Sequence, residues 1–411
     1  MISFIITGVT LLILIFIKSK HNFITLIHFT CLTICNTLFL QNNDLFSKAF
    51  STATPGICLI CSMWNMQKDI YKPRIFHISL ILFAICAIKA FCATNSLSMF
   101  IYMETSMILI ILMMFSENKH INVNTIYQYI TYTFISACLL LIAIIQIEID
   151  TKEYGFIPTT QLCYWLIALA TIIKLPMFPF HYWVPIVHGK SATTCSVLLA
   201  GIILKYSSLI IIRFLMPLHP YTTYLIVASI ISAVSSQCCK KNIKVIFAYS
   251  SIVHMNLYLF IPLANTNNNE FVFSLLAHSV TMALVFLIAD IIKTRYKTLY
   301  IDRLTNISNK IWILLLTASL CVTSIPGNIG FVAELQALCN ANNYNSTITA
   351  IIMAIILLSS CYIMYTCFVI KDNTYKYDFF KFNNWQKITI ITTTLLVVTG
   401  GTLPLLHALR Y

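Results

Sequence analysis

Six ionisable side chains lie inside long apolar stretches of this sequence, and they are its first candidates for chemistry. They are two lysines, two carboxylates and two histidines: Lys174, Lys205, Glu104, Glu334, His254 and His278. A lysine at the centre of a bilayer costs roughly +2.5 to +3.5 kcal/mol on an insertion scale, and ionisable residues within membrane spans are functional by default. The pattern therefore favours a protein that moves charge through the interior of a membrane.

The composition places these residues in a polytopic membrane protein. Of the 411 residues, 59% are hydrophobic and only 9% are charged, and the mean hydropathy is +0.85. Apolar runs recur from end to end and predict an all-α protein with about fourteen transmembrane spans, read as one membrane domain over residues 1–411. Met1–Ile17 lacks the features of a cleaved signal peptide and is predicted to be the first span.

The basic residues give the predicted spans an orientation. A net charge of +13 does not indicate nucleic-acid binding here, because the charges lie in short loops between spans. Most loop lysines and arginines fall on one side, called the basic side; the charge-poor side carries Lys48, Lys152 and Arg410. The positive-inside rule assigns the basic side to the cytoplasm or the mitochondrial matrix. Two further basic residues fall in spans: Arg213 is expected to snorkel from a span end, and Lys89 is open between snorkelling and the polar interior.

Prolines divide the chain into a predicted repeat. Pro176 interrupts the seventh span and Pro326 the twelfth, five spans later. An odd offset requires that the second unit be inverted, which predicts inverted five-helix repeats of spans 4–8 and 9–13. The expected organisation is spans 1–3 in residues 1–74, the repeats in 75–216 and 217–370, and a last loop and span in 371–411. Interrupted helices at matching positions of inverted repeats indicate an ion site near the midplane.

Each ionisable residue has a functional and a structural interpretation. Burial disfavours the ammonium form of a lysine and a nearby carboxylate favours it, so separating Glu104 from Lys174 would release a proton. The alternative is a structural salt bridge between two helices. The sequence offers Lys205 no obvious acidic partner on its own or an adjacent span, and this lysine is predicted to relay protons. Histidine is the residue type whose unperturbed side chain changes charge near physiological pH, so the two histidines suit a relay. The alternative is that they are hydrogen-bonded packing residues. Glu334 would be the terminal group.

Other chemistries receive little support. His181 and His188 lie on one helical face but are too few to bind zinc, so they are expected to orient the broken helix, and no metal site is predicted. The only CxxC motif, Cys58 to Cys61, lies inside a predicted span without a second pair. Gly189-Lys190-Ser191 resembles the end of a phosphate-binding loop, but the upstream glycine that such a loop requires is Val184, so no nucleotide site is predicted.

Three motifs carry a resemblance to a known family. They are Lys174-x-Pro176-x4-His181-x-Trp183-x-Pro185-x2-His188 with Leu199-Ala200-Gly201-Ile202-Ile203-Leu204-Lys205, then Ala248-Tyr249-Ser250-Ser251-Ile252-Val253-His254-Met255, and Pro326-Gly327-x3-Phe331-x2-Glu334. Over about Ser98 to Thr347 the sequence resembles the proton-translocating antiporter-like subunits of respiratory complex I. Glu334, where related chains have lysine, favours the NADH dehydrogenase chain 4 group.

The resemblance implies roles for the six residues. Glu104 and Lys174 would form the family's ion pair, Lys205 would relay the proton, and the two histidines would pass it toward Glu334. Some positions depart from the family pattern: Gly189-Lys190-Ser191-Ala192 replaces Val-Glu-Ala-Pro, Ser207-Ser208 replaces a glycine pair, Leu109 replaces a proline and Ala333 replaces a glycine.

The resemblance also implies a setting. The chain would pump protons as a subunit of NADH:ubiquinone oxidoreductase in the mitochondrial inner membrane, with other membrane-arm subunits and lipid as partners. It would bind no cofactor itself; the complex would use NADH, FMN, iron–sulfur clusters and ubiquinone. Three alternatives stay open: a cation/proton antiporter subunit of a multisubunit transporter, a non-conducting structural subunit, and a generic solute carrier.

Overall fold

The computed structural model describes residues 10, 21–39, 44–66, 68, 70–117, 123–216, 218–264, 268–304, 307–371, 374–375 and 383–408. The chain packs into two compact units. The first comprises Met1–Lys174 and Lys190–Met216, and the second comprises Leu175–Gly189 and Pro217–Tyr411. The predicted first span lies outside the described residues, apart from position 10.

The first unit is a bundle of apolar helices. Its helices are α1 (His21–Phe39), α2 (Leu45–Trp64), α3 (Pro73–Phe91), α4 (Ser96–Glu117), α5 (Val123–Thr151), α6 (Gln161–Lys174) and α8 (Thr193–Leu215). Helix α3 packs along α4, α5 along α6, and α1 along α2. Helix α8 contains two π-helical turns, at Leu199–Ile203 and Ile211–Leu215.

The second unit begins with the short segment that follows α6 and continues with the remaining helices. Its elements are a 3-10 turn (Phe180–Tyr182), α7 (Trp183–Lys190, whose last residue belongs to the first unit), α9 (Thr222–Cys238), α10 (Ile243–Leu257), α11 (Phe260–Ala264), α12 (Asn268–Tyr296), α13 (Asn309–Val322), α14 (Ile329–Tyr344), α15 (Ser346–Lys371) and α16 (Asn384–Ala408). A second 3-10 turn spans Ile301–Arg303, and the strands β1 (Ile307–Ser308) and β2 (Thr374–Tyr375) pair in parallel. Helix α12 packs against α13, α14 and α16.

Each predicted span within the described residues corresponds to one helix or to an interrupted helix. Both predicted interruptions are present: α6 ends at Lys174 before Pro176, and α13 ends at Val322 before Pro326. The structure also has a third interruption, which was not predicted. It lies between α10, which ends at Leu257, and α11, which begins at Phe260. The number of membrane crossings and the inverted repeats stay predictions. Among the described residues, seven helices are long and apolar enough to cross a membrane, and four shorter helices are also apolar.

The helices differ strongly in how much of their most apolar window is buried. The most apolar window is 94% buried in α8, 89% in α10 with α11, and 83% in α12. The corresponding window of α15 is only 22% buried and exposes large apolar side chains, as a lipid-facing or subunit-facing helix would. Lys205, His254 and His278 are therefore located on interior helices of their units.

Candidate functional site

The first cluster is the ion pair between α4 and α6. Nζ of Lys174 donates a hydrogen bond to Oε1 of Glu104 over 2.8 Å, and it lies 3.6 Å from Sδ of Met107 one turn further along α4. The lysine side chain is 2% exposed and the glutamate side chain 21%. Lys174 is also the last residue of α6, where a positive charge interacts favourably with the helix dipole. The predicted pair is therefore present, with a desolvated cation and a more accessible carboxylate.

Lys205 is completely buried in the first unit. Its Nζ donates to the backbone carbonyl of Ala200, which belongs to the first π-helical turn of α8. Turns of this type widen a helix by one residue and are frequent at functional sites. The turn thus places a carbonyl acceptor within reach of a lysine on the same helix.

A hydrogen bond between two buried hydroxyls links α4 to α8. The hydroxyl of Tyr206 lies 2.8 Å from Oγ of Ser106, and Tyr206 follows Lys205 directly. Ser106 also donates to the carbonyl of Met103 in its own helix. The helix that bears Glu104 is therefore tied to the helix that bears Lys205.

We expect the two partners of this bond to respond unequally to removal. Ser106→Ala leaves the Tyr206 hydroxyl buried without its partner and is expected to cost about 1–3 kcal/mol. Tyr206→Phe leaves Ser106 bonded to Met103 and is expected to cost about 1 kcal/mol or less. Thermal unfolding of the two variants measures the difference, and equal losses would contradict this account.

The second cluster lies in the second unit and joins α10 to α14. Nδ1 of His254 lies 3.0 Å from Oε1 of Glu334, an ion-pair distance when the imidazole is protonated. Within the described residues no acceptor meets hydrogen-bond geometry for this nitrogen. Oγ of Ser324 donates to the same carboxylate oxygen over 2.7 Å. The structure thus brings two of the predicted residues together and adds a serine that the sequence did not indicate.

Three rings surround a small cavity beside this pair. His254, Tyr258 and His278 lie with ring centroids 6.2 to 6.4 Å apart. His254 and Tyr258 are four residues apart and project from one side of the chain. Nε2 of His278 lies 3.0 Å from Oγ of Ser251. The cavity has a volume of ≈ 10 Å³, which is about the minimum for one water molecule.

The break between α13 and α14 positions Ser324 and Glu334. Ser324 and Gly327 have positive φ angles of 50° and 98°, so the chain reverses its local twist between the helices. Nδ2 of Asn328 donates over 3.0 Å to the carbonyl of Leu320 in the last turn of α13, which also accepts from the backbone amide of Ile325. A Cβ at Gly330 would lie 3.0 Å from Oγ of Ser324. A small residue at this position therefore lets Ser324 reach Glu334.

The two remaining histidines singled out in the sequence, His181 and His188, are buried and stack on aromatic rings. His181 is fully buried and stacks on Tyr182 at 4.2 Å, and neither ring nitrogen has a hydrogen-bond partner within the described residues. His188 stacks on Phe286 at 4.8 Å. No group of three or more metal-ligating His, Cys, Asp or Glu side chains occurs in the described part of the chain.

A Cβ at Gly189 would lie 2.8 Å from Cγ2 of Val245, so glycine here permits close packing of α7 on α10.

Arg213 and Lys89 lie near helix ends. Nη2 of Arg213 is 2.6 Å from Oδ2 of Asp44 and donates to Oγ of Ser47 over 3.2 Å. Its guanidinium also lies over the ring of Phe156. Lys89 is half-buried in the last turn of α3. Arg213 thus reaches partners at the edge of the first unit.

Comparison with known proteins decides the family. Residues 93–362 match the family described as NADH:quinone oxidoreductase/Mrp antiporter, TM. The chain belongs to this family. NADH-quinone oxidoreductase subunit M of Rickettsia felis is 28% identical over 394 residues, which cover 88% of this chain and 78% of that protein. NADH-ubiquinone oxidoreductase chain 4 of Chondrus crispus is 25% identical over 349 residues, covering 79% and 70%.

A solved structure gives the same fold. One chain of respiratory complex I from Thermus thermophilus with bound aureothin has a TM-score of 0.83 at 16% identity, covering 98% of this chain and 97% of that one. The resemblance inferred from the three sequence motifs is confirmed. The helical fold of the NADH:quinone oxidoreductase/Mrp antiporter family is confirmed as well.

Several side chains of the two clusters give no signal in the sequence alone. Ser324, Ser251 and Tyr258 are common residue types, and only their contacts mark them. Tyr258 carries a partial signal, because it lies four residues after His254 and therefore on the same side. Ser324 carries none, because its position depends on the positive φ angle at the break.

Proposed function

We propose that this chain is a proton-translocating antiporter-like subunit of respiratory complex I in the mitochondrial inner membrane. The observation that carries the proposal is the ion pair between the buried Lys174 and the half-buried Glu104 at the end of an interrupted helix. An ion pair with one desolvated partner holds a proton tightly while it is closed and loosely when it is opened. A conformational change elsewhere in the complex that separates the two side chains would therefore cause Lys174 to release its proton.

In the first unit, the proposed sequence begins with separation of the pair. Movement of Glu104 away from Lys174 removes the charge that stabilises the ammonium, so the lysine releases its proton. The side chain of Lys205, a neutral amine before this step, takes up the proton and becomes an ammonium group. The carbonyl of Ala200 accepts a hydrogen bond from that ammonium group. The link between α4 and α8 through Ser106 and Tyr206 offers a way to couple the two lysines.

In the second unit, the proton reaches the histidines and then Glu334. His254 as imidazolium faces the carboxylate of Glu334, so one proton can occupy either group. A water molecule in the small cavity would connect His278 to this pair. Ser324 stabilises the carboxylate form by donating to it. The pair therefore receives and releases a proton without large rearrangement.

Redox chemistry is assigned to other subunits in this proposal. NADH, FMN, iron–sulfur clusters and ubiquinone would be bound elsewhere in the complex, and their redox energy would open the Lys174–Glu104 pair. The other partners are neighbouring membrane-arm subunits and the bilayer. Relatives named as NADH-ubiquinone oxidoreductase chain 4 support the mitochondrial setting, although relatives named as subunit M are bacterial.

A second function has a specific observation in its favour, because the family description also names the Mrp antiporter. In that case the chain would exchange a cation for protons without electron transfer. A non-conducting structural subunit and a solute carrier have less support, since both clusters pair buried titratable groups.

Purification of the tagged chain from its own membranes separates these functions. We expect it to co-purify with flavin-containing and iron–sulfur proteins and with NADH:quinone activity, because complex I must supply its driving energy. Absorption spectra and electron paramagnetic resonance of the purified assembly provide the measurement. An assembly that lacks redox centres but drives cation-dependent proton flux in vesicles would favour the antiporter instead.

A further inference from the structure

A third carboxylate is linked to the helix that bears Glu334. Nδ2 of Asn340 in α14 donates to Oε2 of Glu270 over 2.8 Å, and it also donates to the carbonyl of Gln336. Asn340 is 7% exposed and Glu270 is half-buried in the first turn of α12. Glu270 takes no part in either cluster described above, although it shares α12 with His278.

The position of Glu270 along its helix places it beyond the second cluster. Glu270 precedes His278 by eight residues, which corresponds to about 12 Å along α12. Asn340 follows Glu334 by six residues, about 9 Å along α14. The displacements along α12 and α14 are similar, and the hydrogen bond from Asn340 to Glu270 joins the two helices at this level. A carboxylate therefore lies roughly two helical turns beyond the His278–Glu334 level.

Loop charges assign this end of α12 to the charge-poor side. The opposite end of α12 carries Lys293 and Arg295 in its last turn. Among the described residues from 217 onward, two other acidic residues besides Glu334 lie toward the basic side: Asp290 is three residues before Lys293, and Asp302 pairs with Lys241. Asp372 and Asp378 lie outside the described residues. Glu270 is thus the acidic residue of the described part of this stretch that lies between Glu334 and the charge-poor side.

One buried acceptor lies on the same face of α14 as Asn340. Oε1 of Gln336, one turn before Asn340, has no hydrogen-bond partner within the described residues. Buried polar atoms of this kind are usually satisfied by ordered water. Ordered water at Gln336 would lie about one helical turn from the Asn340–Glu270 contact, on the side of Glu334.

We propose that Glu270 is the proton-release carboxylate of this chain, which accepts the proton from Glu334 through water and delivers it to the charge-poor side. The inference rests on the proposed function. In this step the carboxylic acid of Glu334 gives its proton to a neighbouring water molecule. Proton transfer along a row of hydrogen-bonded water molecules then delivers one proton to the Glu270 carboxylate. Glu334 is left ionised beside His254, and Glu270 then loses its proton to the aqueous phase. Asn340 holds the accepting carboxylate in place.

A pair of substitutions separates this role from a structural one. Glu270→Gln is isosteric and can still accept from Asn340, but it cannot bind and release a proton. Asn340→Leu removes the hydrogen bond and leaves the carboxylate. In the assembled complex reconstituted in vesicles, we expect Glu270→Gln to lower the proton-to-electron ratio measurably, Glu270→Asp to restore most of it, and Asn340→Leu to retain more than half. The reverse order, with Gln tolerated and Leu deleterious, would show that the contact is structural and overturn the proposal.

Two controls make the result specific. Glu153→Gln alters an exposed carboxylate between α5 and α6, outside both clusters, and is expected to leave the ratio unchanged. Lys174→Met tests the proposed function separately. If Lys174→Met stops proton transfer while Glu270→Gln behaves like the unmodified protein, only the release role of Glu270 is refuted. If Lys174→Met also has no effect, the proposed function fails as well.

Discussion

Replacement of Lys174 by methionine is expected to abolish proton translocation by this chain while the complex still assembles. Methionine is close to lysine in length and is apolar, so it can fill a site in which the lysine side chain is only 2% exposed. Glu104 is left without its cation but is 21% exposed, which lets water or a proton compensate. Loss of a positioned proton-transfer group typically costs on the order of 10² to 10⁴ in rate.

The measurement is proton uptake or release per electron in vesicles that contain the assembled complex. Lys174→Arg is the matched control for charge: it preserves the ion pair with Glu104 but holds its proton too tightly to release it. We therefore expect Arg to support assembly and to fail in translocation, like Met. Unchanged pumping by a fully assembled Lys174→Met complex would refute the role of this residue.

Substitution of Gly401 by alanine is expected to give the largest structural defect. A Cβ at Gly401 would overlap the carbonyl carbon of Asn328 and would lie 2.5 Å from both its oxygen and the amide nitrogen of Ile329. Helix α16 thus packs directly on the backbone of the break that positions Glu334. Backbone cannot move aside as a flexible side chain does, so we expect a loss of at least about 1–3 kcal/mol.

Two other glycines in the chain provide controls for this prediction. Gly56 also lies within a helix, but a Cβ added there would have no heavy atom within 4 Å outside its immediate chain neighbourhood. Gly56→Ala is therefore expected to be neutral or to stabilise by roughly 0.5–1 kcal/mol. A Cβ at Gly400 would meet the side chain of Ile329 at 2.6 Å, so Gly400→Ala should be intermediate. Thermal inactivation and the yield of assembled complex rank the three, and equal behaviour of Gly56→Ala and Gly401→Ala would disprove the close-packing account.

The sequence predicted the ion pair but not its surroundings. Glu104 and Lys174 are identifiable because a charge in a long apolar run requires a compensating group. Met107 and the unequal exposure of the two partners could not be predicted, because they depend on the rotation of α4 against α6. The sequence also assigned Lys205 to a relay without indicating that the Ala200 carbonyl accepts from it, because that contact depends on the π-helical turn of α8.

Two of the three interruptions between helices in the described part of the chain were predicted from proline. Pro176 and Pro326 remove a backbone donor, so the ends of α6 and α13 follow from local chemistry. The interruption between α10 and α11 was not predicted, although Pro262 in α11 cannot donate to the carbonyl of Tyr258 at the break. The π-helical turns of α8 contain no proline. The interruption places Tyr258 beside the cavity, and the first π-helical turn places Ala200 beside Lys205.

The amino-acid sequence by itself determined the membrane class, the approximate helices and the titratable residues, because hydropathy and buried charge are properties of single segments. Tertiary structure decided which of those residues meet. His254, Ser324 and Glu334 come from different segments and converge only because the chain at the break adopts positive φ angles and α16 approaches it at glycine. Glu270 likewise acquires a partner only through the packing of α12 on α14. Contacts between helices depend on rotation and close approach, and neither is encoded in the hydropathy of one helix.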